Sequence, residues 1–258
     1  MIKNNKIRGW IHGYTILLFL LFAVFGTACI KSVPEAKGTA SLDILHAVID
    51  GNVLRPNLKE EGMSIFRNSS YISYGDYYRG ANHIGSYVGS TRLRLYEMPD
   101  TTDKDQPLYD LRLDLPEGSI NFLVLCGTRN DPDYFLFRSE IPYFPDSDSV
   151  MAVRIINASP ESNPVVLHLK NSGPIQGISP VSYREHSEFS TLPVLSNTRD
   201  YEFEVRDAVT GDLLATYTTS GMNQGRHSGF RYQSFSLLLL GKVGLSGTYQ
   251  PKVTWVQH

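Results

Sequence analysis

Short runs in this 258-residue chain alternate apolar and charged residues with a period of two. Residues 111–115 place leucine at every second position, with Arg112 and Asp114 between them, and residues 201–206 repeat the pattern with Tyr, Phe and Val. Successive side chains of a β-strand point to opposite faces, so this pattern predicts antiparallel sheets with one buried and one solvated face. A slip of one residue would bury the charges, so the register is well specified.

The composition supports the same fold class. The chain contains 15 Tyr, 12 Phe, 21 Gly and 14 Pro, a mixture typical of short strands joined by tight turns. No helical pattern of convincing length follows residue 30. Two sheets packed face to face are the usual arrangement of such strands. We therefore predict an all-β fold built from antiparallel β-sandwiches of the immunoglobulin or transthyretin type.

The N-terminus predicts export and a lipid anchor. Lys3, Lys6 and Arg8 precede an apolar run at residues 14–25, and the sequence Gly-Thr-Ala-Cys follows, ending at Cys29. A basic start, a short apolar core and small residues are the parts of a secretory signal. The run is shorter than the roughly 20 residues that span a bilayer. The cysteine resembles that of a bacterial lipobox, which is acylated. An ordinary cleaved signal and an uncleaved anchor are the alternatives.

These features divide the chain into four segments. We predict a lipoprotein signal peptide at 1–28, a tether at 29–38, a first β-sandwich domain at 39–145 and a second at 146–258. The tether lacks periodicity, and the rest is long enough for two domains of common size. Cys126 would be the only thiol left beside the lipidated one. It lies in an apolar strand, so we expect a buried, inert thiol and no disulfide within the chain.

The order of features in the first half recurs in the second half. The tripeptide Ile-Ser-Tyr at 72–74 corresponds to Val-Ser-Tyr at 181–183. Each half then has an alternating strand, a polar loop and an apolar run, and these runs end at Gly127 and Gly241. Identity between the halves is low, but the order matches throughout. We interpret the chain as two tandem, diverged copies of one sandwich module.

A motif at the start of the second half carries a resemblance to a known family. The sequence Val-Arg-Ile-Ile-Asn-Ala-Ser-Pro at 153–160 resembles the opening of the family called domain of unknown function 4397. Its members begin a β-sandwich module with an apolar strand, then Asn or His, Ala, Ser and Pro, and a second strand alternating Val and Tyr. The second strand here, at 165–169, departs from that alternation. The resemblance implies an exported bacterial β-sandwich and brings no known catalytic residue or ligand.

No motif in the sequence predicts a catalytic nucleophile, a metal site or a cofactor. The seven His residues show no zinc-binding spacing; His168 alternates with leucines and should point outward. Glu202 and Glu204 should lie about 7 Å apart on one strand face, which glycoside hydrolysis tolerates, yet a charged outer sheet face has the same sequence. The Asp-rich loop at 100–105 could hold Ca²⁺, but Lys104 in its middle favours a solvated hairpin loop.

The densest group of aromatic residues is the candidate ligand contact. It comprises Tyr71, Tyr74, Tyr77 and Tyr78, with Arg79 beside them. Exposed tyrosines on a β scaffold stack on sugar rings or anchor a protein partner. The same residues could instead fill the core or cover a sheet edge. The sequence leaves both possibilities open.

These observations favour a lipid-anchored protein of the cell envelope, an outer membrane lipoprotein facing the periplasm or the surface. We expect it to bind a glycan or an envelope protein without catalysis. The formal net charge of −2 argues against a nucleic-acid partner. Two alternatives stay open. An adhesin-like or pilus-like subunit would pair an edge strand with a partner, and a surface glycoside hydrolase would use the glutamate pair.

Overall fold

Strands dominate the structure, which confirms the predicted all-β class. The computed structural model describes residues 38–62, 70–99, 106–145 and 148–258. Cys29 and the Asp-rich loop at 100–105 lie outside these residues. Within them, the only α-helix is α1, a single turn at Arg79–Asn82, and the 3₁₀ helices are Met222–Gln224, His227–Gly229 and Gly247–Tyr249. Residues Gly38–His258 form one compact unit.

Sixteen strands run through the described residues. In chain order they are β1 (Thr39–His46), β2 (Leu54–Asn57), β3 (His83–Tyr87), β4 (Gly89–Glu97), β5 (Tyr109–Leu115), β6 (Ile120–Gly127), β7 (Pro132–Arg138), β8 (Val150–Asn157), β9 (Val165–Leu169), β10 (Gly173–Pro174), β11 (Glu185–His186), β12 (Ser190–Pro193), β13 (Glu202–Asp207), β14 (Leu213–Thr218), β15 (Ser234–Leu240) and β16 (Lys252–Gln257).

The strands form four sheets, and the strand order of the first half recurs in the second. Sheet A has the order β3-β1-β6-β7, and sheet B has β2-β4-β5. Sheet C has the order β11-β8-β15-β16, with β12 also on β8, and sheet D has β10-β9-β13-β14. The first strand of each half pairs in parallel with the apolar strand, β1 with β6 and β8 with β15. Sheet A therefore corresponds to sheet C, and sheet B corresponds to sheet D.

Three apolar layers lie between the four sheets. A leucine-rich layer joins sheet B to sheet A, and a layer around Phe203 and Phe235 joins sheet D to sheet C. A third layer joins sheet A to sheet C and contains Phe122 and Cys126 from the first half and Leu238 from the second. The sheets therefore stack in the order B, A, C, D.

The central sheets are buried on both faces, which explains their unbroken apolar runs. In β6, Leu123 and Leu125 face sheet B, whereas Phe122 and Val124 face sheet C. The expected pattern of one buried and one wet face holds for the outer sheets B and D and fails for A and C. The layer between sheets A and C joins the two halves that the sequence predicts as separate domains. The domain division itself stays a prediction.

Glycines end the central apolar strands at corresponding places. Gly127 has φ +78° and Gly241 has φ +86°. A Cβ at either position would overlap a backbone carbonyl oxygen, that of Asp131 or Gln250. A positive φ and so close a backbone approach both require glycine.

Candidate functional site

A groove runs across the outer face of sheet D. It has a volume of about 470 Å³ and lies over strands β9 and β13 and the hairpin loops that follow them. Its polar lining includes His168 from β9, Asn171 from the next turn, and Glu204 and Arg206 from β13. Val166 adds apolar surface.

The period of two in β13 places these side chains. Phe203 and Val205 point into the core between sheets C and D, so Glu204 and Arg206 point outward. Strand β9 pairs antiparallel with β13, and His168 lies directly opposite Glu204. His168 therefore faces outward, as its alternation with leucines predicted.

An ion pair fixes the centre of the groove. The guanidinium of Arg206 donates to Oε2 of Glu204 through Nε at 2.9 Å and Nη2 at 2.8 Å. Its Nη1 donates to the carbonyl oxygen of Gly211 at 2.9 Å, which ties the side chain to the β13–β14 hairpin. The carboxylate and the guanidinium are thus held in place before any ligand arrives.

The two glutamates of the hydrolase hypothesis have separate partners. Glu204 pairs with Arg206, and Glu202 pairs with the ammonium of Lys170 at the margin of the same face. Each carboxylate is therefore already bound by a neighbouring cation. Within the described ranges, no group of three or more His, Cys, Asp or Glu is placed to hold a metal ion. The helices of those ranges are too short and too polar to cross a bilayer.

The structure divides the tyrosine-rich segment between the surface and the core. Tyr71 and Tyr78 are exposed by 50% and 73%, and Arg79 is exposed as well. Tyr74 and Tyr77 are half-buried and pack against the layer between sheets A and C. Only the exposed residues are placed to meet a ligand.

Tyr74 and Tyr77 make different contacts inside the molecule. The ring of Tyr74 packs edge-on against Tyr249, and the ammonium of Lys252 lies 4.7 Å from its centroid. Its hydroxyl is buried and has no hydrogen-bond partner among the described residues. The hydroxyl of Tyr77 donates to Oδ1 of Asp43 at 2.8 Å. Tyr74 thus links the first half to the last hairpin of the second half.

Tyr183 makes the reciprocal link from the second half. Its hydroxyl lies 3.2 Å from Sγ of Cys126 and 3.4 Å from the carboxylate of Asp133. Arg184 forms an ion pair with the same carboxylate at 3.2 Å. Burial raises the pKa of Cys126 to about 12, so the thiol is protonated and inert at neutral pH.

Sequence reasoning did not single out Arg154, which lies in the central layer. Its side chain is only 2% exposed, and Nε donates to Oγ of Ser236 at 2.7 Å. The rings of Phe122, Phe137 and Phe189 surround the guanidinium at 4.4 to 5.2 Å. Burial lowers its pKa to about 9. The only signal in the sequence is a charge inside an apolar run.

Comparisons with known proteins give distant likenesses. No protein-family model matches the chain, and no curated protein matches it. A Bacteroides ovatus protein provisionally named an adhesin is 12% identical, with a TM-score of 0.24, covering 87% of this chain and 97% of its own. A provisionally named polysaccharide-binding protein from Bacteroides thetaiotaomicron is 8% identical, with a TM-score of 0.26, covering 86% and 98%.

A third likeness is to a carbohydrate-binding module from Eubacterium rectale, solved in complex with maltoheptaose. It is 8% identical, with a TM-score of 0.23, and the match covers 85% of this chain and 96% of that module. TM-scores this low do not establish a shared fold. The grounds for a function must therefore come from the residues of this chain.

Proposed function

We propose that this protein is a lipid-anchored component of the bacterial cell envelope that binds a glycan in the groove on sheet D without catalysis. The arrangement of His168, Glu204 and Arg206 in that groove carries the proposal. Sugar hydroxyls both donate and accept hydrogen bonds; the carboxylate accepts, the guanidinium donates, and the imidazole offers either role. Hydrogen bonds to charged groups are stronger than neutral ones, and groups fixed before binding lose little entropy.

The remaining parts of the proposal concern architecture and location. The repeated strand order supports two tandem sandwich modules, at 39–145 and 146–258, and the motif at 153–160 supports kinship of the second with domain of unknown function 4397. The basic start, the apolar run and Cys29 support a lipoprotein signal at 1–28 and a tether at 29–38. Acyl chains on Cys29 would hold the protein on the outer membrane.

A matched pair of variants tests the groove. The soluble chain beginning at Lys31 is applied to a glycan array, and the Glu204→Gln and Glu202→Gln variants are compared. Both variants remove one carboxylate from the same face of β13, but only Glu204 lines the groove. We expect Glu204→Gln to weaken binding at least tenfold and Glu202→Gln to leave it nearly unchanged. Equal binding by wild type and both variants would exclude the groove.

The exposed tyrosines are a second candidate ligand contact, which the same array tests. Tyr71→Ala and Tyr78→Ala alter exposed rings, whereas changes at Tyr74 or Tyr77 would disturb the central layer. Binding lost in the tyrosine variants alone would move the ligand site to that segment. Retention of no glycan, with envelope proteins recovered equally by all variants, would favour a structural role over glycan binding.

A further inference from the structure

The outer face of sheet B is rich in arginine, unlike the groove face of sheet D. Arginines alternate with inward leucines on three neighbouring strands, and together they form what we call the arginine face: Arg55 on β2, Arg92 and Arg94 on β4, and Arg112 on β5. The carboxylates of this sheet surface come from Asp110 and Asp114. Arg55 is only 7% exposed, so three more accessible guanidinium groups, those of β4 and β5, share the described surface of this sheet with two carboxylates.

The register of the sheet puts two of these cations against each other. Arg92 lies directly opposite Arg112, and like charges in that position repel. Asp110 offsets the charge of Arg92 through two hydrogen bonds, at 2.8 and 2.6 Å. The side chain of Arg112 is 58% exposed, and its ion-pair partner is Glu60 at 3.2 Å, from outside the sheet.

A short segment of the chain lies against Arg92, Arg94 and Arg112 on the arginine face. We call residues 59–62, with the sequence Lys-Glu-Glu-Gly, the acidic strap. Arg94 donates through Nη2 to the carbonyl oxygens of Lys59 at 3.1 Å and Gly62 at 2.7 Å. Arg92 donates to the carbonyl oxygen of Glu60 at 3.2 Å. The strap thus supplies acceptors to the arginines: three peptide carbonyl oxygens and the carboxylate of Glu60.

We propose that the arginine face is a binding site for an extended acidic peptide of a partner protein, and that the acidic strap occupies it in the unbound protein. The strap is itself a short acidic peptide, and the arginines bind its carbonyl oxygens and one glutamate. A ligand that offers the same groups is a peptide rather than a polysaccharide. Guanidinium groups bind carboxylates strongly and in defined geometry. The ring of Tyr71, 3.9 Å from the guanidinium of Arg55, adds an aromatic margin. This site is independent of the groove on sheet D.

Direct binding of a labelled oligoglutamate peptide to the soluble chain, followed by fluorescence anisotropy at low salt, tests the face. Arg112→Gln should weaken binding at least fivefold. Arg138→Gln removes the same charge from an exposed position on β7 and should change binding less than twofold. Both arginines are exposed, so both variants should fold, and their melting temperatures check this. Equal losses in the two variants would reduce the effect to net charge and overturn the proposal.

If the acidic strap competes with the peptide for the arginines, weakening the strap should strengthen peptide binding. Glu60→Gln removes the carboxylate from Arg112 and should tighten oligoglutamate binding about threefold. Glu140→Gln makes the same change in charge at an exposed position outside sheet B and should have a smaller effect. A labelled oligogalacturonate is run in parallel. The proposal is wrong if wild type binds neither probe, or if oligogalacturonate binds more tightly with the same dependence on Arg112.

Discussion

Sheets B and D have corresponding strand orders and opposite surfaces. On sheet B, arginines from β4 and β5 share one face and the chain's own acidic strap lies against them. On sheet D, each glutamate pairs with a cation on the same face, and the space between the hairpins stays open as a groove. In both halves the inward-facing residues are apolar and pack in the core, and the strand order is the same. The outward-facing residues differ between the two halves. The two halves thus agree where they pack and diverge where a ligand would bind.

The largest expected effect concerns the two glycines that end the central apolar strands at corresponding places in the two halves. Gly127→Ala and Gly241→Ala should each lower the free energy of unfolding by about 3 kcal/mol or more, because the added Cβ meets a backbone carbonyl and the residue must keep a positive φ. Urea unfolding followed by circular dichroism measures both changes.

Gly211→Ala is the control for this pair. Gly211 also has a positive φ, of +79°, but a Cβ there meets no atom of the described residues within 4 Å, so we expect a cost of about 1 kcal/mol. A similarly small cost at Gly127 or Gly241 would break the correspondence between the two strand ends.

The second prediction concerns pH, where the halves differ. His46 ends β1, and Asn157 ends β8 at the corresponding place. Burial lowers the pKa of His46 to about 4. The unfolded chain, with a His pKa of about 6.5, therefore binds more protons between pH 6.5 and 4, so the free energy of unfolding falls as the pH falls through that window. The contribution is at most about 3 kcal/mol.

His46→Asn gives the first half the residue that the second half has at the corresponding position. It should flatten the pH dependence of the free energy of unfolding, as measured by urea unfolding at several pH values. Some dependence of the same sign should remain, because burial also lowers the pKa of His258, to about 3. An unchanged slope in the variant would show that His46 titrates normally in the folded protein.

The smallest expected effect on stability distinguishes Tyr183 from Tyr74, the two tyrosines that link the halves. Tyr183→Phe removes a hydroxyl that contacts Cys126 and Asp133 and should cost about 1 kcal/mol. Tyr74→Phe removes a buried hydroxyl that has no partner in the part of the chain that the structure describes, and it should be neutral or slightly stabilising. Thermal unfolding compares the two. Equal losses would mean that Tyr74 has a hydrogen-bond partner in solution.

Local patterns predicted the strands well. The alternating runs at 111–115 and 201–206 predict strands, and the structure has Tyr109–Leu115 and Glu202–Asp207. Period two also gave the outward direction of His168 and Glu204. It did not show that β9 would lie beside β13, because pairing depends on residues distant in sequence. The outward direction of these side chains could therefore be predicted from the sequence, but the groove that they form could not.

Contacts between distant segments explain the other differences. Nothing near Tyr74 in the sequence shows that Tyr249 and Lys252 will cover it. Nothing near Glu60 shows that it will meet Arg112. The unbroken apolar run of β6 does signal burial on both faces, but it does not show that β8 and β15 of the other half provide the cover.

That buried cover has a consequence for how the molecule opens. Neither half can swing away from the other without exposing the rings around Arg154 and the apolar side of β6 to water. The amide protons of β6 and β15 should therefore exchange with solvent only when the whole unit unfolds. A force applied along the chain would therefore act on residues Gly38–His258 as one mechanical unit.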